Sequence, residues 1–131
     1  MSALTNKSGI NEASAELLHK NNLYSSVCHC AYYSSVQLMR HIWFNKMNKT
    51  ETELYTLTRA STENSHGILI NQIVNHIKGK SMDARNFNTE ILSLKKLRTI
   101  ADYNDETIDF SHSTKSLALS KSVNLILNKC V

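Results

Sequence analysis

The chain has 131 residues, 41% of them hydrophobic and 20% charged, with a formal net charge of +4. That is enough chain to bury a core in one domain, and too apolar a composition for a disordered polymer. With no proline and three glycines, a proline-rich linker and a glycine-rich phosphate loop are both excluded, and little in the sequence breaks helices.

In chain order, residues 11–20 are predicted to form a first short helix. Lys20-Asn21-Asn22 marks a turn, and residues 23–46 form a longer second helix. There Tyr24, Val27, Cys28, Ala31, Ser35, Leu38 and Ile42 recur at steps of three and four, the spacing of one helical face. Residues 47–65 are rich in Thr, Glu, Asn and Ser and read as a long connection holding one helical turn at most. Leu69, Ile70, Ile73, Val74 and Ile77 mark a third helix that ends at Lys78-Gly79-Lys80. Ile91, Leu94, Leu97, Ile100 and Ala101 mark a fourth, with Asn88 or Thr89 as cap. After a loop, Ser111 or Ser113 caps a last helix buried along Leu119, Val123, Ile126, Leu127 and Cys130. No segment alternates with period two. The expected architecture is an all-α, antiparallel up-down bundle of four to five helices in a single domain, residues 1–131 with its core at about 11–130.

The first ten residues hold no apolar signal core, and no run of about 18 apolar residues occurs, so a cytoplasmic, membrane-free protein is expected. Three cysteines cannot all pair, and a reducing compartment leaves them free. Cys28-His29-Cys30 looks like a metal knot. On a helix, however, residues i and i+2 lie about 200° apart and cannot share an ion. No second Cys/His pair completes four ligands, so no metal and no cofactor is expected. Cys28 then reads as a core residue and His29 as a surface or interface histidine. No His-Glu-x-x-His motif occurs, which removes another common enzyme signature.

Two patches carry candidate chemistry. In "NSHGILI", Ser65 either caps the next helix or stands beside a histidine, His66, aimed at a groove. In "LKKLRTIADYNDE", Arg98 precedes Asp102 by one helical turn, which allows an ion pair, and Tyr103 follows at the helix end. These three either lock the helix end against Tyr32 and Tyr33 or form a binding cluster.

Four stretches in order, "LYSSVCHCAYYSSVQLM", "SHGILINQIV", "LKKLRTIADY" and "FSHSTKSLALSKSVNLIL", resemble the HEPN domains, in particular small stand-alone prokaryotic members. The likeness covers about residues 13–128. It implies an antiparallel helical bundle that pairs into a homodimer. It also implies a role as a toxin-like ribonuclease, as a partner of a nucleotidyltransferase, or as a binder of nucleotides. Active ribonucleases of that family carry Arg, four to six residues, then His. Here Arg98 is followed by Thr99, Ile100, Ala101, Asp102 and Tyr103, with no histidine before His112, while Arg59 and His66 match the spacing but lie outside the expected helix.

On these grounds the chain is expected to bind nucleic acid or a nucleotide, or to act as a toxin-like component with a nucleotidyltransferase partner. Its binding residues are Arg98, Asp102, Tyr103, Tyr33 and His66: Arg98 meets phosphate, Asp102 orients it, and Tyr103 stacks on a base or offers its hydroxyl. Two alternatives stand beside this. One is a metal-independent endoribonuclease in which His66 or His112 reaches Arg98 across the fold or the dimer. The other is a purely structural interaction module.

Overall fold

The structure, a computed structural model, describes residues 2–131. It contains six helices: α1 (Ala3–Lys20), α2 (Tyr24–Asn45), α3 (Glu51–Arg59), α4 (Ser65–His76), α5 (Ser81–Tyr103) and α6 (Phe110–Asn128). No strand occurs among the described residues, and no helix is long and apolar enough to cross a membrane.

Helix α2 is the axis of the bundle. Ser34, Ser35 and Val36 are buried in succession, as are His41, Ile42 and Trp43. Three successive residues sweep about 200° of a helix, so α2 is covered on most sides. Its neighbours are α1, α4, α5 and α6. Tyr32, Met39, Ile42 and Trp43 meet Leu69, Ile70 and Ile73 of α4, Phe87, Ile91 and Leu94 of α5, and Val123 and Leu127 of α6 in one apolar cluster. Each such side chain contributes about 1.5–3 kcal/mol relative to exposure. A smaller cluster of Cys28, Leu97 and Ile108 continues the core toward the C-terminal end of α5.

The turns fall where asparagine tolerates the left-handed backbone. Asn22 (φ 62°) joins α1 to α2, and Asn48 (φ 54°) follows α2. Gly79 needs no such conformation, and α4 stops at His76, slightly before the expected Lys78-Gly79-Lys80 end.

Several boundaries differ from those expected. Helix α1 begins at Ala3, not near residue 11, because Ser2 caps it through the Thr5 N–H at 3.3 Å. Its inner face uses small polar residues: Ser8 Oγ donates to the Ser34 carbonyl at 2.7 Å. An apolar period cannot register such contacts. The connection 47–65 contains α3, one helix more than the four to five expected, opened by a capping box in which Thr50 and Glu53 exchange side-chain-to-backbone bonds. Helix α5 begins at Ser81 rather than at Asn88 or Thr89, since Ala84 and Phe87 extend its buried face. Asp109, not Ser111 or Ser113, caps α6, and Ser113 is instead buried against His19 at 2.7 Å.

Candidate functional site

Three helices converge on Arg98. Helix α2 supplies His29, Tyr32 and Tyr33, α5 supplies Arg98, Asp102 and Tyr103, and α4 supplies His66 as its second residue. Asn64 caps α4 by accepting the Gly67 N–H at 2.9 Å, which leaves Ser65 as the first helical residue and turns His66 inward. The one-turn spacing from Arg98 to Asp102 puts the two on one face of α5. The same spacing from His29 to Tyr33 stacks their rings 4.7 Å apart on α2.

Arg98 is caged. Its guanidinium carbon lies 5.5, 5.2 and 5.1 Å from the ring centres of Tyr32, Tyr33 and Tyr103, cation–π distances that favour a weakly hydrated guanidinium. Nη2 donates to the Tyr33 hydroxyl at 2.7 Å and to the Tyr103 hydroxyl at 3.3 Å. Nε lies 3.0 Å from Asp102 Oδ2 but is not aligned as a hydrogen bond, so that contact is an ion pair held by proximity. Nη1 makes no hydrogen bond to any described residue. The Arg98 side chain is 12% exposed, so its pose is fixed before any ligand arrives.

The same Asp102 oxygen accepts from His29 Nδ1 at 2.8 Å. One carboxylate thus bridges a guanidinium and an imidazole from different helices. On the other side of Tyr33, the fully buried Tyr32 hydroxyl lies 3.0 Å from His66 Nδ1. Burial pushes the Tyr32 phenol up, outweighing the opposite pull of Arg98, so it stays protonated. Burial also lowers His66 below the ordinary 6.5, and the positive charges of Arg98, Lys95 and Arg40 lower it further. His66 is therefore a neutral imidazole in an electropositive neighbourhood.

All five residues named from the sequence, Arg98, Asp102, Tyr103, Tyr33 and His66, stand in this one network. His29 and Tyr32 belong to it as well. The sequence signal for His29 was its one-turn spacing before Tyr33, which the adjacent cysteines obscured. Arg59 and His112 lie elsewhere: Arg59 packs over Tyr55 of its own helix at 5.7 Å, and His112 Nδ1 sits 2.8 Å from Asp109 in the α6 cap.

The cysteines do not enter the chemistry. All three are free, and burial raises each thiol, with Asp102 raising Cys28 and Cys30 further. They stay protonated and weakly nucleophilic. Cys28 instead accepts a hydrogen bond from Ser116 Oγ at 3.0 Å in the α2–α6 contact. No group of three metal-ligating side chains forms among the described residues.

His29 and Asp102 also line an open hollow of about 540 Å³, together with Ser25, Ser26, Cys30 and Ala101. The arrangement offers a fixed cation with an unused N–H edge and exposed phenol and imidazole rings, and the hollow lies on the His29–Asp102 side of it. That set suits an anionic, ring-bearing ligand. Comparison with protein-family models, with curated proteins and with solved structures finds no match.

Proposed function

We propose that this chain is a HEPN-type helical domain that binds RNA or a nucleotide at the Arg98 surface. It works as a toxin-like component, pairs as a homodimer, and acts with a nucleotidyltransferase-type partner protein. One observation carries the reading. Arg98 is held by Asp102 and three tyrosines with Nη1 unused, which leaves a pre-set donor edge for phosphate. Tyr103, 70% exposed beside it, provides a ring for a base. The net charge of +4 aids the approach of a polyanion.

Titration of labelled mixed-sequence RNA and of ATP, followed by fluorescence anisotropy and calorimetry, tests this reading. Native protein binds one of them, and Arg98→Ala binds at least about tenfold more weakly, roughly 1.4 kcal/mol. Equal binding by both proteins would remove Arg98 from the function. Light scattering tests the pairing, and a monomer at working concentration would remove it. A nucleotidyltransferase encoded beside this chain that neither binds it nor modifies Tyr103 would remove the partner.

A second reading, a metal-independent endoribonuclease, is favoured by the two histidines that the fold brings to the Arg98 network. The histidine missing after Arg98 in the sequence is supplied from other helices. Incubation of the native protein with RNA in chelator, read on gels, tests it. Intact RNA at high protein concentration would end this reading.

A further inference from the structure

A second hollow, of about 760 Å³, lies at the end of the bundle where α1 begins and α2 and α6 finish. It has no residue in common with the Arg98 network, and its volume is that of a small-molecule pocket. Ser2 and Glu12 line its α1 side, His41, Asn45 and Lys46 line its α2 end, and Leu38 lies between them.

His41 is only 6% exposed, yet one edge of its ring is unused. Its Nδ1 lies 2.6 Å from Ser2 Oγ and 3.2 Å from Asn45 Nδ2. The same Asn45 Nδ2 donates to the His41 carbonyl at 3.2 Å, which identifies it as the amide nitrogen, and an amide nitrogen only donates. Ser2 Oγ already accepts the Thr5 N–H, so its own proton is free to point at the ring. Nδ1 is therefore bare, and in the neutral ring the proton sits on Nε2. Burial, aided by the charge of Lys46, holds His41 below the ordinary 6.5, so the ring is neutral at pH 7.5. Nε2 has no hydrogen-bond partner among the described residues. It is not sealed from solvent as the unpartnered Glu90 Oε2 and Arg98 Nε are, so its N–H opens on the hollow that the ring lines.

Charge is divided along this hollow. Lys46 caps the end of α2 and forms no ion pair among the described residues. Helix α1 starts beside Ser2, so its positive end faces the same region. Glu12 lies ten residues beyond Ser2 on α1, about 15 Å by the rise of a helix. Asn124 holds its Oε1 at 2.6 Å, and Oε2 accepts from no described residue. The hollow thus has a donor end and an acceptor end, with an apolar residue between.

From this geometry we infer that the hollow binds a small amino-carboxylate, its carboxylate on His41 Nε2–H and Lys46 and its ammonium toward Glu12. Each end then gains a charge-assisted hydrogen bond. A ligand with only one of the two groups leaves Lys46 or Glu12 without a counter-charge. An inorganic dianion fits less well, because Lys46 is the one lysine or arginine on the described lining and Glu12 shares the space.

Titration of ε-aminocaproate into ¹⁵N-labelled native protein at pH 7.5, followed by imidazole and amide spectra, tests this. Before any ligand is added, His41 should show bare Nδ1 and protonated Nε2; the reverse pattern overturns the inference. On titration the His41 Nε2 signal should move and saturate. Caproate and hexylamine, each with one of the two groups, should bind at least about fivefold more weakly. Lys46→Gln, an exposed change that leaves the His41 ring in place, should weaken ε-aminocaproate by at least about fivefold. Glu12→Gln, whose amide oxygen still meets Asn124, should do the same. Lys20→Gln, at the far end of α1, should bind as the native protein does. A His41 signal that never moves, or equal binding by native, Lys46→Gln and Glu12→Gln protein, overturns the inference. So does inorganic phosphate binding as tightly as ε-aminocaproate, which would make the hollow a general anion site.

Discussion

Asn124 and Arg98 each gather polar side chains from α2, but what surrounds them differs. Asn124 is 2% exposed; its amide donates to Glu12 at 2.6 Å and Ser34 at 3.0 Å, while its oxygen accepts from Ser35 at 2.8 Å. Around Asn124 that network is satisfied, with only Glu12 reaching the surface, and it joins α1, α2 and α6 in one register. The Arg98 network joins α2, α4 and α5, but it ends in groups that face outward: Nη1 of Arg98, the exposed Tyr103, and His29 at the rim of the hollow. A fully satisfied polar cluster inside a protein fixes geometry. One whose donors and acceptors end at the surface leaves them to solvent or to a ligand.

Substitutions can break this contrast. The largest stability loss is expected for Asn124→Ala, which leaves the buried Ser35 hydroxyl without its acceptor and opens a void between α2 and α6, at a cost of about 2–4 kcal/mol. Urea unfolding measures it, and RNA or nucleotide affinity of the folded protein stays native. Arg98→Ala is expected to cost less, about 1–2 kcal/mol, because Asp102 and Tyr103 can turn to water, while ligand binding falls sharply. Arg98→Lys recovers less than half of that binding, since an ammonium cannot reach Asp102 and two phenols from one planar group. If Arg98→Ala destabilised more than Asn124→Ala and left binding unchanged, the open network would be a structural lock like the closed one.

A pH titration sharpens the same comparison. His66 and His41 are both held below the ordinary 6.5, mainly by burial, with neighbouring positive charges adding to it. As pH falls below about 6.5, the unfolded chain takes up protons that the folded chain refuses, so stability drops toward the lowered folded values and is fully present above 6.5. The melting temperature should therefore fall between pH 7.5 and 5.5, and His66→Gln should flatten that fall. An unchanged slope would show that His66 is not desolvated against Tyr32. The smallest effect is expected at an exposed pair between α1 and α6. Glu16→Gln removes the pair with Lys121 at 2.8 Å, which holds the Glu16 carboxyl low, but both side chains are well exposed. Thermal melts should stay within about 0.5 kcal/mol of native.

The two networks were not equally legible in the sequence. Arg98, Asp102 and Tyr103 announce themselves by spacing along one helix, His66 by its place at a helix start, and Tyr33 as part of the face against which that helix end could pack. The structure adds His29, whose spacing to Tyr33 was local but whose link to Asp102 spans 73 positions and cannot be read from spacing. Asn124 was invisible for a related reason: small polar residues packed between helices carry no apolar period, which also hid the first turns of α1. Helix α3 left a trace, the Thr50-Glu51-Thr52-Glu53 capping box. Its single buried residue, Leu54, was too little to set a period.

That thin anchoring of α3 reaches beyond its own segment. Leu54 and the Trp43 indole bond to the Thr50 carbonyl at 2.9 Å tie it to the core, so its amides should exchange with deuterium long before those of α2. Helix α4 follows α3 within a few residues, and His66 stands in its first turn. Loosening of α3 thus runs into the bond that keeps the Tyr32 phenol dry. A ligand that grips His66 would in turn slow exchange along residues 51–59, making a helix outside the Arg98 network a remote gauge of its occupancy.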